Sequence, residues 1–117
     1  MQVLQPFRNI LHERHDIARN WKNQNKRPVI GWNCTYTPEE IIYAMGALPI
    51  RVLGSMETAT TLADAYLPRN ACSFTRSCLD SALRGDYAYL DGFVTSNSCD
   101  NFTKTYDLWR HYTKIPY

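Results

Sequence analysis

Two of the four cysteines stand where a thiolate could bind a metal. Cys72 lies just inside the start of a segment, 71–83, whose apolar residues recur at helical spacing, and Cys99 follows an apolar run, 89–95, that is typical of a strand. The dipole and free amide groups of a first helical turn favour a thiolate over a thiol, and the thiolate is the metal-binding form. We therefore expect both cysteines at one rim of an α/β sheet, as candidate metal ligands.

The four cysteines also have a simpler interpretation, because free cysteine packs well as a small buried residue. The spacing of Cys72 and Cys99 matches no compact metal motif such as CxxC. Cys34, at the end of another predicted strand, is either a weaker candidate ligand or a residue of the pocket wall or core. Cys78 lies on the helix face opposite Cys72 and is expected in the core. Spacing alone leaves the ligand and packing roles open.

The elements that position these cysteines follow from apolar periodicity and from turn residues. An amphipathic helix over 1–23 and a polar connector to residue 27 precede a core strand over 28–32. Further strands are predicted over 48–53 and 89–95, and helices over 37–45, 71–83 and 100–112, while 55–66 indicates at most a short helix in a loop. This alternation of strand and helix predicts a parallel sheet of three to four strands, an α/β fold.

The helix ends are predicted from capping residues. Thr37, Pro38 and Glu40 predict a capping box, with Thr37 as the N-cap, and Gly46 ends that helix. Asn70 and Asp100 are the expected N-caps of the two later helices.

Length, charge and patterning restrict the classes of protein. A chain of 117 residues makes one small domain or part of a larger one. Its net charge of +2 is spread along the sequence, so nucleic-acid binding is not expected. Neither a signal peptide pattern nor a membrane span is recognisable, which predicts a cytoplasmic protein without disulfides. His12 and His15 are interpreted as polar helix residues rather than as a metal site.

Several motifs in order resemble one family. They are Gly31-Trp32-Asn33-Cys34-Thr35-Tyr36-Thr37-Pro38-Glu39-Glu40-Ile41-Ile42, Ala44-Met45-Gly46-Ala47-Leu48-Pro49, Cys72-Ser73-Phe74-Thr75-Arg76-Ser77, Leu90-Asp91-Gly92-Phe93-Val94 and Ser98-Cys99-Asp100. Together they resemble the component D family of 2-hydroxyacyl-CoA dehydratases, whose motifs are shared by benzoyl-CoA reductase subunits and double-cubane-cluster proteins. The resemblance implies a Rossmann-like (flavodoxin-like) domain over 28–117, preceded by a helix and connector over 1–27. Family chains are much longer, so the sequence is expected to be an incomplete part of a larger subunit.

The activity that this resemblance implies is radical chemistry on an acyl-CoA thioester. The dehydratases remove water from a 2-hydroxyacyl-CoA through a ketyl radical, and the benzoyl-CoA reductases reduce an aromatic ring. In both, an ATP-dependent iron-sulfur activator delivers low-potential electrons. The implied partners of this chain are an acyl-CoA substrate, that activator, and a paralogous second subunit or a second copy. By itself the chain is expected to be inactive.

The site residues are carried over by motif. Cys72 and Cys99 would be ligands of a 4Fe-4S cluster, since thiolates are the usual ligands of such clusters, and a further ligand would come from outside this chain. Glu39 is a candidate for proton transfer, whereas capping explains Glu40. Arg76 would bind a phosphate or carboxylate of CoA, or else form a surface salt bridge. Ser73 and Ser77 would hydrogen bond to the cluster, or else serve as surface or capping residues.

Two rival functions remain from the sequence. One is a double-cubane reductase of small molecules, which needs no CoA thioester. The other is a non-catalytic docking domain with structural cysteines, suggested by the aromatic residues Tyr106, Trp109, Tyr112 and Tyr117 near the carboxyl end, which we expect to be exposed.

Overall fold

A three-stranded parallel sheet flanked by helices forms the centre of the protein. The computed structural model describes residues 2–55 and 58–117. Strands β1 (Val29–Trp32), β2 (Leu48–Arg51) and β3 (Gly92–Val94) lie in the order β2-β1-β3, with every neighbouring pair parallel. The predicted α/β class is therefore confirmed, and the order is the one with which flavodoxin-like sheets begin.

Five α-helices flank this sheet in the described part of the chain, as the alternating pattern predicts. They are α1 (Gln5–Asn25), α2 (Glu39–Ala44), α3 (Thr61–Asp64), α4 (Ser73–Leu83) and α5 (Asp100–Tyr112), and a 3-10 turn, Gln2–Leu4, leads into α1. The helix predicted from residue 1 and the uncertain segment 55–66 each include residues outside the described part: Met1, Met56 and Glu57. None of the described helices is long and apolar enough to cross a membrane.

The predicted capping box at the start of α2 is wrong. The N-cap residue is Pro38, and the first helical residues are Glu39 and Glu40. Thr37 lies one residue earlier, and its hydroxyl is buried without a hydrogen-bond partner among the described residues. The chain is held there by the backbone instead, since the amide of Thr37 donates to the Cys34 carbonyl (2.8 Å). A tight turn after β1 thus replaces the side-chain cap.

The predicted N-caps of the two later helices are wrong, and in each case a cysteine is the N-cap residue, although α5 spans the predicted range 100–112. The N-cap of α4 is Cys72 and not Asn70, and the N-cap of α5 is Cys99 and not Asp100. Asp100 is instead the first helical residue, where its negative charge still favours the helix dipole. Cys72 is therefore the residue before the first turn of α4 rather than part of that turn, and Cys99 directly precedes α5.

The two edges of the sheet differ in their surroundings. Pro49 lies within β2 opposite Ile30, and because β2 is an edge strand the missing proline N–H costs no ladder bond inside the sheet. On the other edge, the amide of Phe93 in β3 donates to the carbonyl of Pro116 (2.9 Å). The segment after α5 therefore runs beside β3, where the α/β pattern predicts the next strand.

The main core lies between the sheet and α4, α5 and the loop before β3. Its buried residues are Val29, Val52, Cys78, Ala82, Tyr87, Leu90, Phe93, Trp109 and Ile115. Trp109 is completely buried and stacks on Phe93, with ring centroids 4.1 Å apart. The expectation that the carboxyl-terminal aromatic residues are all exposed is therefore wrong for Trp109, which is a central packing residue.

Gly54 marks the closest approach between the loop after β2 and helix α4. A Cβ at this position would overlap the Ser77 side chain and lie 2.9 Å from its backbone carbonyl carbon. The Ser77 hydroxyl, in turn, donates to the Ser55 carbonyl (2.8 Å). Only glycine lets the loop lie this close to α4.

Gly54→Ala is expected to lower the free energy of unfolding by about 3 kcal/mol, because backbone atoms of α4 cannot move aside as a flexible side chain could. Urea denaturation followed by circular dichroism measures this loss. Gly85→Ala is the matched control, since its φ of 89° strains the backbone but open space surrounds the new methyl group. We expect about 1 kcal/mol there, and equal losses in both variants would contradict the steric argument.

The carboxyl-terminal half of α1 attaches to the domain, whereas its amino-terminal half is exposed. Ala18 is buried, and Lys22 donates to the Tyr89 carbonyl (2.7 Å) and to Asp91 (2.9 Å). The apolar residues nearer the amino end are all exposed: Val3, Leu4, Phe7, Ile10 and Leu11. The amphipathic pattern thus predicts the helix correctly, but only part of the apolar face is covered.

His15 anchors the middle of α1. Its Nδ1 atom is 3.0 Å from the Tyr89 hydroxyl, and its ring meets that of Tyr87 edge to face at a centroid distance of 4.8 Å. Burial, together with the nearby charge of Arg14, holds the pKa of His15 below its usual value of 6.5.

Because the pKa of His15 is lowered in the folded chain, the free energy of unfolding should depend on pH. Between the folded and unfolded pKa values the unfolded chain binds more protons, so we expect the free energy of unfolding to fall as pH drops below about 6.5. The free energy of unfolding stops falling once the pH is below the pKa of His15 in the folded chain. His15→Gln should flatten this dependence in urea titrations between about pH 5 and 8, with His12→Gln as the control. The same slope in the His15 variant and the wild-type chain would contradict the assignment.

Candidate functional site

The loops that leave β1 and β3 meet at the carboxyl edge of the sheet. From β1 the chain passes through α2 to β2 on one side, while β3 lies on the other side of β1. The crevice between the carboxyl ends of β1 and β3 is therefore the switch point of the sheet, where open α/β sheets usually bind ligands. Cys34 follows β1, and Cys99 follows β3.

Two side-chain contacts join these loops. The Thr95 hydroxyl donates to Oδ1 of the buried Asn33 (2.6 Å), and the Cys34 sulfur is 3.1 Å from the Ser98 hydroxyl. Ser98 directly precedes Cys99 in the chain. The contact with Ser98 therefore places Cys34 next to the loop that carries Cys99.

The surroundings of Cys34 favour its thiolate. Burial alone would raise the pKa of this thiol, but the hydroxyls of Ser96 and Ser98 and the amide of Tyr36 face the sulfur, and the net pKa is lowered. Among the described residues, the buried Ser96 hydroxyl has no partner that meets hydrogen-bond geometry. Cys34 is thus a buried thiol that can lose its proton more readily than an ordinary cysteine.

Cys72 and Cys99 are exposed at the starts of two neighbouring helices. Within the part of the chain that the structure describes, neither thiol caps its own helix, so both are left out of local hydrogen bonding. The amide of Cys72 donates to Oδ1 of Asn101 (3.2 Å), the second residue of α5. The rings of Phe74 and Phe102 meet edge to face behind this bond, 6.5 Å apart. The interpretation of these two cysteines as buried packing residues is therefore wrong.

Cys78 is a core residue, as predicted. It is buried, its thiol points to the Val52 carbonyl (3.7 Å), and burial raises its pKa to about 12. At neutral pH it stays protonated and unreactive.

Arg76, Ser73 and Glu39 are the remaining candidate residues. The guanidinium of Arg76 pairs with Asp64 and with the Pro68 carbonyl, which is the salt bridge considered as the alternative to CoA binding. Ser73 is exposed as the first residue of α4, and Glu39 is half-buried as the first residue of α2. Substrate contacts by Arg76 and Ser73 and proton transfer by Glu39 stay predictions.

Sequence reasoning missed Asn33, Asn101 and the role of Ser98. Each is a common loop or helix-start residue, and its function depends on a partner distant in the sequence. The polar run 96–98 was the only available signal, and it predicts a loop without naming its contacts.

A shallow cleft of about 490 Å³ borders the same rim on the outer side of β3. Apolar walls formed by Phe93, Tyr106 and Tyr117 alternate with the polar residues Asn97 and Asp107. No group of three or more histidine, cysteine or acidic residues within 2–55 and 58–117 is arranged to hold a metal ion. Two exposed thiols at one rim are soft donors that fit part of a cluster site, which needs further ligands.

The parallel β2-β1-β3 sheet flanked by helices makes this an α/β protein, and its exposed cysteines lie at helix starts near the carboxyl edge of the sheet. A family model described as the D-component of 2-hydroxyglutaryl-CoA dehydratase matches residues 34–117. The chain therefore belongs to this family, as its motifs indicate.

Individual relatives agree with this assignment. The chain is 34% identical over 95 residues to the beta subunit of (R)-phenyllactyl-CoA dehydratase from Clostridium sporogenes, and the match covers 81% of this chain and 25% of the relative. It is 28% identical to the beta subunit of lactoyl-CoA dehydratase from Anaerotignum propionicum (86% and 29% covered). Identity to one of the subunits of benzoyl-CoA reductase from Thauera aromatica is 30% (80% and 25% covered). The chain spans about a quarter of the length of these relatives.

Proposed function

We propose that this chain is the part of a radical acyl-CoA enzyme subunit that supplies two thiolate ligands, Cys72 and Cys99, to an iron-sulfur cluster. The observation that carries the proposal is the exposure of both thiols at neighbouring helix starts that one hydrogen bond joins. A 4Fe-4S cluster at this rim would exchange single electrons at low potential, and its further ligand would come from outside the chain.

The residues around these thiols suit such a role. Helix starts present backbone amides and positive dipole ends, which stabilise thiolates and an anionic group beside them. Cys34 lies in the adjoining loop with a lowered pKa and contacts Ser98, so it either supplies a third thiolate or lines the substrate pocket. Glu39 would move a proton at the substrate from the first turn of α2.

The substrate would be an acyl-CoA thioester, and the reaction dehydration of a 2-hydroxyacyl group or reduction of an aromatic acyl group. The support is family membership, together with relatives whose names specify acyl-CoA dehydratase and reductase subunits. Those names also support a partner subunit, either a paralogous one or a second copy. An ATP-dependent activator would supply the electrons.

Anaerobic reconstitution with iron and sulfide tests the proposal. The chain is reconstituted alone and together with the part of the phenyllactyl-CoA relative that lies outside the matched quarter, and visible absorption and electron paramagnetic resonance report the cluster. We expect Cys72→Ser and Cys99→Ser each to abolish the signal, while Lys104→Ala, at an exposed position of α5, retains it. Cys34→Ser tests the two roles of Cys34: the cluster signal is lost if Cys34 is a third ligand and retained if it lines the pocket.

Two results would overturn the assignment. One is the absence of a cluster even with the added portion, and the other is a cluster that survives both cysteine substitutions. Either would favour the docking-domain alternative. A reconstituted cluster that reduces small molecules but ignores acyl-CoA would favour the double-cubane alternative.

A further inference from the structure

Asn101 bridges the two helix starts that carry the exposed cysteines. It is the second residue of α5, two positions after Cys99, and its Oδ1 atom accepts a hydrogen bond from the backbone amide of Cys72 (3.2 Å). Cys72 is the N-cap residue of α4. One side chain therefore ties the backbone at one thiol to the helix that begins at the other.

Other contacts fix the Cys99 side of this bridge. The Thr103 hydroxyl lies within hydrogen-bond distance of both the Cys99 carbonyl (3.2 Å) and Oδ1 of Asn97 (2.8 Å), and Cys34 contacts Ser98. The Cys99 loop is thus held from α5 and from the loop after β1. On the Cys72 side, the carbonyl accepts from the Thr75 hydroxyl and the Arg76 amide (3.0 Å each), both within α4, whereas the Asn101 bond links the Cys72 amide to α5.

Apolar packing between the two helices does not depend on Asn101. Phe74 and Phe102 meet edge to face, and Leu108 packs against the small core of Ala63, Leu67 and Leu79. Loss of the asparagine bond would therefore leave α4 and α5 packed while freeing the exposed helix starts to shift against each other. A structural role in the core and a role at the rim can be separated by experiment.

From these contacts we infer that Asn101 is a positioning residue, which holds Cys72 at a fixed separation from Cys99 so that both thiolates reach the same cluster. The inference rests on the proposed function for its biological meaning, but the bridge itself can be tested without metal. A ligand pair that is already ordered loses less conformational entropy on binding, so fixing the pair raises cluster retention.

Three substitutions isolate the hydrogen bond. Asn101→Leu replaces the side chain by one of similar size without the Oδ1 acceptor. The side chain in Asn101→Ser is too short to reach the Cys72 amide, whereas Asn101→Asp keeps an acceptor oxygen at the same place. Lys104→Ala, at an exposed position of α5, is the matched control. Circular dichroism verifies that each variant is folded.

The metal-free readout is cross-linking with dibromobimane, which becomes fluorescent when both arms have alkylated thiols, and peptide mapping locates the linked pair. Cys72→Ser and Cys99→Ser define the background. We expect about threefold less Cys72–Cys99 cross-link in the Leu and Ser variants, the effect of losing one exposed hydrogen bond, and recovery in the Asp variant. The second readout is the rate at which a chelator strips iron from the reconstituted protein, which should rise by a similar factor.

The outcomes separate the two hypotheses. Unchanged cross-linking in the folded Leu and Ser variants would overturn the positioning role of Asn101, whether or not a cluster forms. Reduced cross-linking without a cluster in any variant would support the bridge and reject the proposed function. Failure of the Asp variant to recover the cross-link would also count against the hydrogen bond as the cause.

Discussion

Trp109→Ala is expected to lower the free energy of unfolding by about 3–5 kcal/mol, the range for removing a large aromatic side chain from a core. Trp109 is fully buried, its ring stacks on Phe93 with an interplanar angle of 14°, and it lies 6.1 Å from the ring of Tyr87. Truncation leaves a cavity beside the Phe93 ring, into which the surrounding core relaxes only in part. Since a small domain has only about 5–15 kcal/mol of stability, this loss removes a large fraction of it.

Two further variants give this prediction its controls. Trp109→Phe retains the stacking and removes an indole N–H that has no partner among the described residues, so we expect a smaller loss of about 1–2 kcal/mol. Phe7→Ala removes an aromatic ring that is 68% exposed and should change stability by less than about 0.5 kcal/mol. Urea denaturation monitored by tyrosine fluorescence and circular dichroism measures all three. Equal losses for Trp109→Ala and Phe7→Ala would contradict the core assignment.

Asp80→Ala should be comparably severe, because the buried carboxylate of Asp80 serves two elements at once. Its Oδ1 atom accepts hydrogen bonds from the amides of Leu62 and Ala63 at the start of α3 (2.9 and 3.0 Å). Its Oδ2 atom pairs with the guanidinium of Arg84. Removal leaves two amides and a half-buried cation without their partner, which costs about 3–5 kcal/mol in stability.

The isosteric variant separates these two contributions. Asp80→Asn retains an oxygen for the α3 amides and loses the charge opposite Arg84, so we expect about 1–3 kcal/mol. Asp16→Ala breaks an exposed ion pair with Arg19 and should cost only about 0–1 kcal/mol. Thermal unfolding monitored by circular dichroism ranks the three variants. A loss for Asp80→Ala no larger than that for Asp16→Ala would show that α3 does not depend on this carboxylate.

The order and type of the elements could be predicted because their signals are local. Alternating apolar runs indicated three strands, and helical spacing indicated α1, α4 and α5 with nearly correct ends. Capping was less predictable, since α3 is capped by Asp80 from another helix and Thr37 is buried instead of serving as a cap. A competing long-range partner cannot be read from a local motif.

In the candidate site, too, local features could be predicted and long-range contacts could not. The rim position of Cys72 and Cys99 and the core position of Cys78 followed from strand ends and helix periodicity. The contacts of Cys34 with Ser98 and of Cys72 with Asn101 join residues 64 and 29 positions apart, and no spacing rule predicts them. Burial of Trp109 was missed because helical periodicity indicates a face but not the neighbour that covers it.

The parallel strand order also has a consequence for how the chain folds. The β1–β2 register joins Val29 to Leu48, about 20 residues apart, whereas the β1–β3 register joins Ile30 to Gly92, about 60 residues apart. Closing the second loop costs more chain entropy and needs the whole α3–α4 crossover to be in place. We therefore expect pulsed hydrogen exchange during refolding to show protection in the β1–α2–β2 unit first, with the β3 amides and the Cys99 rim acquiring protection last.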